Sequence, residues 1–305
     1  GLMVCCAQGL LAGQEGLTRF TFTEYHMGIQ ARIVVYASSE AAATTACKAA
    51  FKRVEDLEAT MSDYRKDSEL MQLCSQAGKG PQWISRDLYR VLSRSIQIAD
   101  QSDGAFDITV GPIVQLWRTA RRETKLPDPA QLDAALKLVG IDKLKLDPKS
   151  RTAELSLPSM RLDLGGIGKG FASDEALKVL RNHGMQSALI EMGGDLVLGD
   201  APPKTNGWTV NVPNAGGRDM FLSNCAISSS GDTEQYVEIA GTRYSHVVDP
   251  RTGQALTRRV QATVIAPDGF TSDPLSTALT VMTPEARPAL LVHYPAVKTF
   301  IRTAN

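Results

Sequence analysis

Apolar positions along the chain change their period several times, and each change marks an element. Over residues 19–36 apolar and polar residues partly alternate (Phe20 and Phe22, then Ile33 and Val35), which predicts two strands broken near Met27-Gly28. Over residues 40–61 the spacing becomes three and four. Cys47, Ala50, Phe51, Val54, Leu57 and Met61 then share one face of a helix. Residues 62–80 are polar and read as loop. Residues 86–102 return to helical spacing, with Leu88, Val91, Leu92, Ser95 and Ala99 along one stripe. Residues 104–121 begin as loop and turn helical after Pro112. Asp128 before Pro129 is a helix start, an N-cap followed by proline in the first turn, and that helix runs to Val139 and stops at Gly140.

The second half is mostly strand and turn. Short strands are predicted over residues 143–147, 153–157 and 160–164, then a helix over 170–182 closed by Gly184. Residues 188–198 form a strand interrupted by Gly193-Gly194, and strands follow over 208–212, 226–229, 235–239, 243–248 and 261–266. Ala240-Gly241-Thr242 reads as a hairpin turn. Helices over 273–282 and 284–293 precede a last strand over 298–302. Strand runs with helices set between them predict an α+β fold with antiparallel sheets and packed helices, not a βαβ array.

Composition narrows the function. The chain has 305 residues, 43% hydrophobic and 22% charged, the profile of a globular protein. Lys plus Arg and Asp plus Glu are 33 each, so no basic excess argues for a nucleic-acid partner. No stretch approaches about 18 uncharged apolar residues, the length a membrane-spanning helix needs. The five cysteines (Cys5, Cys6, Cys47, Cys74, Cys225) contain no CxxC pair, and their odd number argues against a disulfide framework. Cys47 belongs to a helix core face. The opening GLMVCCAQGLLAG is apolar and uncharged up to Gln14-Glu15. We read residues 1–18 as a separate N-terminal segment, the remnant of an export signal, with Cys5 or Cys6 as a lipidation site in the alternative. A single domain covers residues 19–305.

Five segments carry candidate chemistry. Asp163-Leu-Gly-Gly-Ile-Gly-Lys-Gly170 lies between a predicted strand and a helix. Glycine amides at a helix start hold phosphate oxygens, and Lys169 adds positive charge, yet the spacing fits neither G-x-G-x-x-G nor G-x-x-x-x-G-K-[ST]. The plainer reading is a tight turn that needs glycine. Ser245-His-Val-Val-Asp-Pro-Arg-Thr-Gly253 places His246 near Asp249 and Arg251, which suits a general base or a phosphate ligand, or simply a capped turn. In Thr271-Ser-Asp-Pro-Leu-Ser-Thr277, Asp273 and Thr277 share a helix face, and a carboxylate with a hydroxyl suits Mg²⁺. Asp before Pro is equally an ordinary N-cap. Asp103-Gly-Ala-Phe-Asp-Ile-Thr-Val-Gly-Pro112 offers Phe106 for stacking and Asp107 and Thr109 for hydrogen bonds. In Glu191-Met-Gly-Gly-Asp195, paired glycines mark a bulge or a close backbone approach.

Taken in order, these segments resemble the ApbE family of FAD:protein FMN transferases. The resemblance covers about residues 19–303. It also includes Met27-Gly28, Met61-Ser-Asp-Tyr64, Asp67-Ser-Glu-Leu70 and Ser230-Gly-Asp232. Two positions depart from the family pattern: Ile29 stands where Thr is common, and Gly168 where Ala is common. The resemblance implies two intertwined T-fold-like halves with FAD bound between them. It implies Mg²⁺ held by the Gly166 carbonyl, Asp273 and Thr277. Flavin contacts are implied from Met27, Tyr64, Ala105, Phe106, Asp107, Asp163, Lys169 and Val247. The implied reaction moves FMN from FAD to a Thr or Ser of a target flavoprotein and releases AMP. Members are typically exported and serve membrane redox complexes, which implies a place on the periplasmic side of the inner membrane, peripheral or lipid-anchored. Of the residues that could take the acceptor's proton, His246 is our first choice, oriented by Asp249. With water as acceptor the same site is an FAD pyrophosphatase giving FMN and AMP. Without turnover it is a flavin-binding protein.

Overall fold

The computed structural model describes residues 16–217, 219–231 and 236–304. Most of the N-terminal segment, with Cys5 and Cys6, lies outside these residues, as does Asp232. Among the described residues, no helix is long and apolar enough to cross a membrane.

The described residues begin with a hairpin. β1 (Thr18–His26) and β2 (Ile29–Ala37) pair antiparallel, and the two residues between them take positive φ, 51° at Met27 and 76° at Gly28. Such a two-residue connection matches the twist of its strands, and glycine adopts it without strain. α1 (Glu40–Met61) follows, capped by Ser39 and buried along the predicted face. Burial pushes the Cys47 thiol on that face up to about 12, so it packs as an unreactive apolar group. Residues 62–80, read as loop, hold a short helix, α2 (Glu69–Ser75). Ser68 caps it, and Leu70, Leu73 and Cys74 enter the core. Two turns are too short to display a period.

Next come β3 (Gln82–Trp83), α3 (Arg86–Gln101), a 3-10 turn at Ile108–Val110, α4 (Gly111–Glu123) and α5 (Pro129–Leu136). β4 (Leu144–Asp147) and β5 (Thr152–Leu155) join β3 in a small sheet of order β3-β5-β4. Residues 160–164, expected as a strand, are not one. Met160, Leu162 and Leu164 are buried as their alternation predicts, but the Leu162 amide donates to Cys74 Sγ and the Asp163 amide to the Ile108 carbonyl, not to a ladder.

α6 (Gly168–Asn182), β6 (Ala188–Met192) and β7 (Asp195–Leu198) lead into a ribbon of β8 (Trp208–Asn211) and β9 (Asp219–Leu222). β10 (Cys225–Gly231) is followed by the hairpin of β11 (Tyr236–Ile239) and β12 (Thr242–Ser245), turning at Ala240-Gly241 as expected. β13 (Arg259–Ala266), α7 (Gly269–Val281), α8 (Arg287–Leu291) and β14 (Lys298–Ala304) complete the chain.

The main sheet has order β1-β2-β6-β7-β10-β13-β14 and is antiparallel throughout. This is the expected α+β arrangement. Strand alternation sorts residues between its faces: Ile33 and Val35 join the main core with α1, α6 and α7, while Val34 joins Leu198, Ile227 and Ile265 under Trp208 and Val210 of the ribbon.

α6 and α7 meet at two glycines. A Cβ on Gly170 would lie 2.0 Å from the Gly269 carbonyl oxygen, and one on Gly269 would lie 2.6 Å from that of Gly170. Each helix also caps the other's start. Asp174 of α6 accepts from the Gly269 and Phe270 amides, both at 2.8 Å, and Asp273 of α7 accepts from the Gly170 amide at 3.0 Å. Asp273 is therefore not the N-cap of its own helix, as its Asp-Pro sequence suggested. α7 begins four residues earlier, because Asp174 satisfies its first amides from 95 residues away.

Burial pushes the Asp174 carboxyl up to about 7, against the pull of the two amides, with Asp268 and Glu175 adding repulsion. Its folded-state value lies above its ordinary 3.8, so this group favours folding at low pH and the benefit is lost as pH rises through about 7. Asp174→Asn is expected to flatten that slope. In thermal melts the wild type loses more stability than the variant between about pH 5 and 7.5. At pH 5, where Asp174 is protonated, Asn is its neutral counterpart, and the two proteins are expected to differ by less than about 1 kcal/mol.

Candidate active site

The glycine cluster folds as a tight turn into α6, and its amides serve the protein itself. Gly165 donates to Asp163 Oδ1 at 2.8 Å, Gly168 to the Leu164 carbonyl at 2.8 Å and Gly170 to Asp273. The expected phosphate cradle of these three amides is thus already occupied. Positive charge comes from Lys169, whose Nζ lies 2.8 Å from Asp195 Oδ2 and 3.1 Å from Asp273 Oδ1. Burial works against the ammonium, but the two carboxylates outweigh it and hold the lysine above its ordinary pKa. Burial pushes the Asp195 carboxyl up, and the pull of Lys169 only partly offsets it.

Asp273 is 3% exposed, and Thr277 follows one helical turn later. A Cβ built on Gly166 would lie 3.0 Å from Thr277 Oγ1 and 3.3 Å from Phe106 Cε2. The structure therefore brings Gly166, Thr277 and Phe106 together at the end of the Lys169 cluster. Among the described residues no three His, Cys, Asp or Glu side chains converge. Asp273 and Thr277 lie one turn apart on α7, and Thr277 meets the main chain at Gly166. A set of oxygen donors with a single carboxylate fits a hard divalent ion such as Mg²⁺.

Of the residues implied to touch flavin, Met27, Phe106 and Asp163 lie against the glycine turn. Gly168 faces Met27, with 3.6 Å from a built Cβ to the Met27 methyl and 3.9 Å to that of Met61. These are ordinary contacts, so the family's alanine would fit there and the glycine is a tolerated departure. Asp163 accepts from Arg118 Nη2 at 2.9 Å. Arg118 also pairs with Asp63 and lies 4.4 Å over the ring of Tyr64, which is 76% exposed. Ala105, Phe106 and Val247 are buried. Asp107 Oδ1 accepts from the Thr109 amide and hydroxyl at 2.8 and 2.6 Å, and the Thr109 hydroxyl accepts from Gly140. These side chains cap the 3-10 turn and do not reach outward as a free pair. Burial holds the Asp107 carboxyl above its usual range.

The histidine segment forms a turn closed by the Gly253 amide on the Asp249 carbonyl at 2.8 Å. His246 is half-buried directly after β12. Asp249, expected to orient it, gives both carboxylate oxygens to Arg251, at 2.9 and 2.8 Å. The Arg251 stem lies over Gly104, and Trp117 Nε1 donates to the Gly253 carbonyl at 2.9 Å. These contacts dock the turn onto α4 and the Ala105–Phe106 segment.

Three site residues escaped the sequence. Asp63 and Asp195 sit inside recognised segments, but nothing local announces a partner. Arg118 is an ordinary basic residue on an amphipathic helix, and only the fold brings it to Asp63 and Asp163.

The sequence pattern of the ApbE family matches residues 27–301. The FAD:protein FMN transferase of Treponema pallidum is 32% identical over 320 residues, covering 97% of this chain and 88% of that protein. That of Haemophilus influenzae is 36% identical, covering 75% and 70%. Among solved structures, the flavin transferase ApbE of Vibrio cholerae superposes with a TM-score of 0.80 at 27% identity, covering 94% of this chain and 97% of that one. The apo flavinyl transferase ApbE of Pseudomonas stutzeri gives 0.83 at 27% identity, covering 95% and 92%. With the family pattern spanning nearly the whole domain, and with fold and sequence in agreement, the chain belongs to the ApbE family.

Proposed function

We propose that this chain transfers FMN from FAD to a Thr or Ser hydroxyl of a target flavoprotein and releases AMP, with Mg²⁺ at Gly166, Asp273 and Thr277. The observation that carries this reading is the Lys169–Asp273 ion pair on the helix whose next turn, at Thr277, meets Gly166 beside Phe106. Cleaving a pyrophosphate needs positive charge where phosphate oxygens gather. Bound there, Mg²⁺ supplies part of that charge. Lys169 supplies the rest from a fixed position. Tyr64, backed by Arg118, offers a ring face on which an aromatic part of FAD stacks.

His246 is the base. It takes the proton of the acceptor hydroxyl as that oxygen bonds to the FMN phosphorus. The bond from that phosphorus to the AMP oxygen breaks, and AMP leaves with the bonding electrons. Asp249 acts indirectly, bracing through Arg251 the turn that carries His246. His246→Asn is expected to lower transfer about 10²- to 10⁴-fold while FAD binding, read by flavin fluorescence, stays within a few-fold. Undiminished transfer by this variant would place the base elsewhere.

AMP release from FAD separates the possible activities. Release that needs both Mg²⁺ and an acceptor, and stops with EDTA, supports transfer. Equal AMP and free FMN without an acceptor would make the chain a pyrophosphatase. Binding without AMP would make it a flavin-binding protein. The apolar opening segment with Cys5 and Cys6 supports a place on the periplasmic side of the inner membrane, peripheral or lipid-anchored, serving a membrane redox complex. Cell fractionation that recovers the protein only in the cytoplasm would overturn that location.

A further inference from the structure

We propose that Asp195 is a positioning residue that shares the Lys169 ammonium with Asp273 and so leaves Asp273 open to the metal. The inference rests on Asp273 being a metal ligand. Both Asp273 oxygens are engaged: Oδ2 by the Gly170 amide and Oδ1 by Lys169. A cation that approaches Oδ1 competes with the ammonium for that oxygen and is repelled by its charge. An ammonium released inside a protein is costly unless another acceptor holds it. Asp195 is that acceptor and already makes the shorter contact, 2.8 Å against 3.1 Å.

Asp195 is also well fixed. It is 5% exposed and begins β7, directly after the Gly193-Gly194 turn. Both glycines take positive φ, 59° and 87°. Its Oδ1 accepts from the Ser229 amide of β10 at 3.2 Å, leaving Oδ2 toward Lys169. Without this carboxylate the ammonium has Asp273 alone, and the lysine becomes a competitor of the metal.

The test is a Mn²⁺ titration of FAD-free protein, with free Mn²⁺ read by electron paramagnetic resonance. It compares the wild type, Asp195→Asn, Lys169→Met and the double variant. Asn keeps the shape of the residue and an acceptor for Ser229 but loses the charge. Asp195→Asn is expected to weaken Mn²⁺ binding about tenfold in the presence of Lys169 and less than threefold in the Lys169→Met background. Lys169→Met alone is expected to tighten it at least threefold. Unchanged affinity in Asp195→Asn overturns the proposal, as does an equal loss in both backgrounds, which would mean that Asp195 acts by its own charge. Should Asp195→Asn fail to fold, Lys169→Met decides: tighter Mn²⁺ binding supports competition, and weaker or equal binding overturns it. A wild type that binds no Mn²⁺ while still binding FAD rejects the metal site itself, an outcome distinct from failure of the Asp195 comparison.

Discussion

Gly170→Ala is expected to cost on the order of 4 kcal/mol and to reduce flavin transfer below detection. The added methyl would sit 2.0 Å from the Gly269 carbonyl oxygen, 2.5 Å from its carbon and 2.8 Å from Asp273 Cβ. Backbone cannot turn aside as a side chain does, so α6 and α7 must separate. Overpacking alone costs about 1–3 kcal/mol. Separation also breaks the two reciprocal caps, each worth about 1 kcal/mol. It pulls Asp273 from Lys169 and opens the proposed site. Gly168, two residues earlier, is the control: its added methyl meets only the ends of Met27 and Met61 at 3.6 and 3.9 Å. Gly168→Ala is expected to be neutral or stabilising by up to about 1 kcal/mol, the helix preference of Ala over Gly. Urea melts of the two variants check both statements, and a Gly170→Ala protein that melts like the wild type would contradict the packing described here.

Asp273→Asn is expected to lower Mg²⁺-dependent transfer by about 10³-fold or more. The protein remains folded. Its stability falls by about 1–2 kcal/mol, because the Gly170 amide keeps an acceptor while Lys169 loses one of two carboxylates. Transfer and melting measured on one sample distinguish this from a purely structural role, in which stability falls and transfer per folded molecule does not.

Long, regular elements were legible because many residues repeat the same message. α1 and α3 each show one apolar stripe over several turns, and both appear with nearly the predicted bounds. The alternation of Met160, Leu162 and Leu164 correctly marked burial but not a strand, since burial every second residue does not require a ladder partner. Asp273 shows the limit of local signals. Asp-Pro marks helix starts in general, yet the start of α7 is set by Asp174, which the sequence could not connect to it. The glycine cluster was found, but its amides face acceptors of its own fold. The Glu191–Asp195 segment announces its paired glycines but no partner for Asp195. Its partner appears only where β7 and the first turn of α6 meet at Lys169.

The central claim is group transfer to a protein, and the intact mass of the acceptor tests it most directly. Purified protein, FAD, Mg²⁺ and a tagged acceptor flavoprotein are incubated, and acceptor mass and AMP are followed together. The account predicts that the acceptor gains one FMN less water for each AMP formed, and that replacing its target Thr or Ser abolishes the gain. An acceptor of unchanged mass, with AMP and free FMN accumulating, would contradict it.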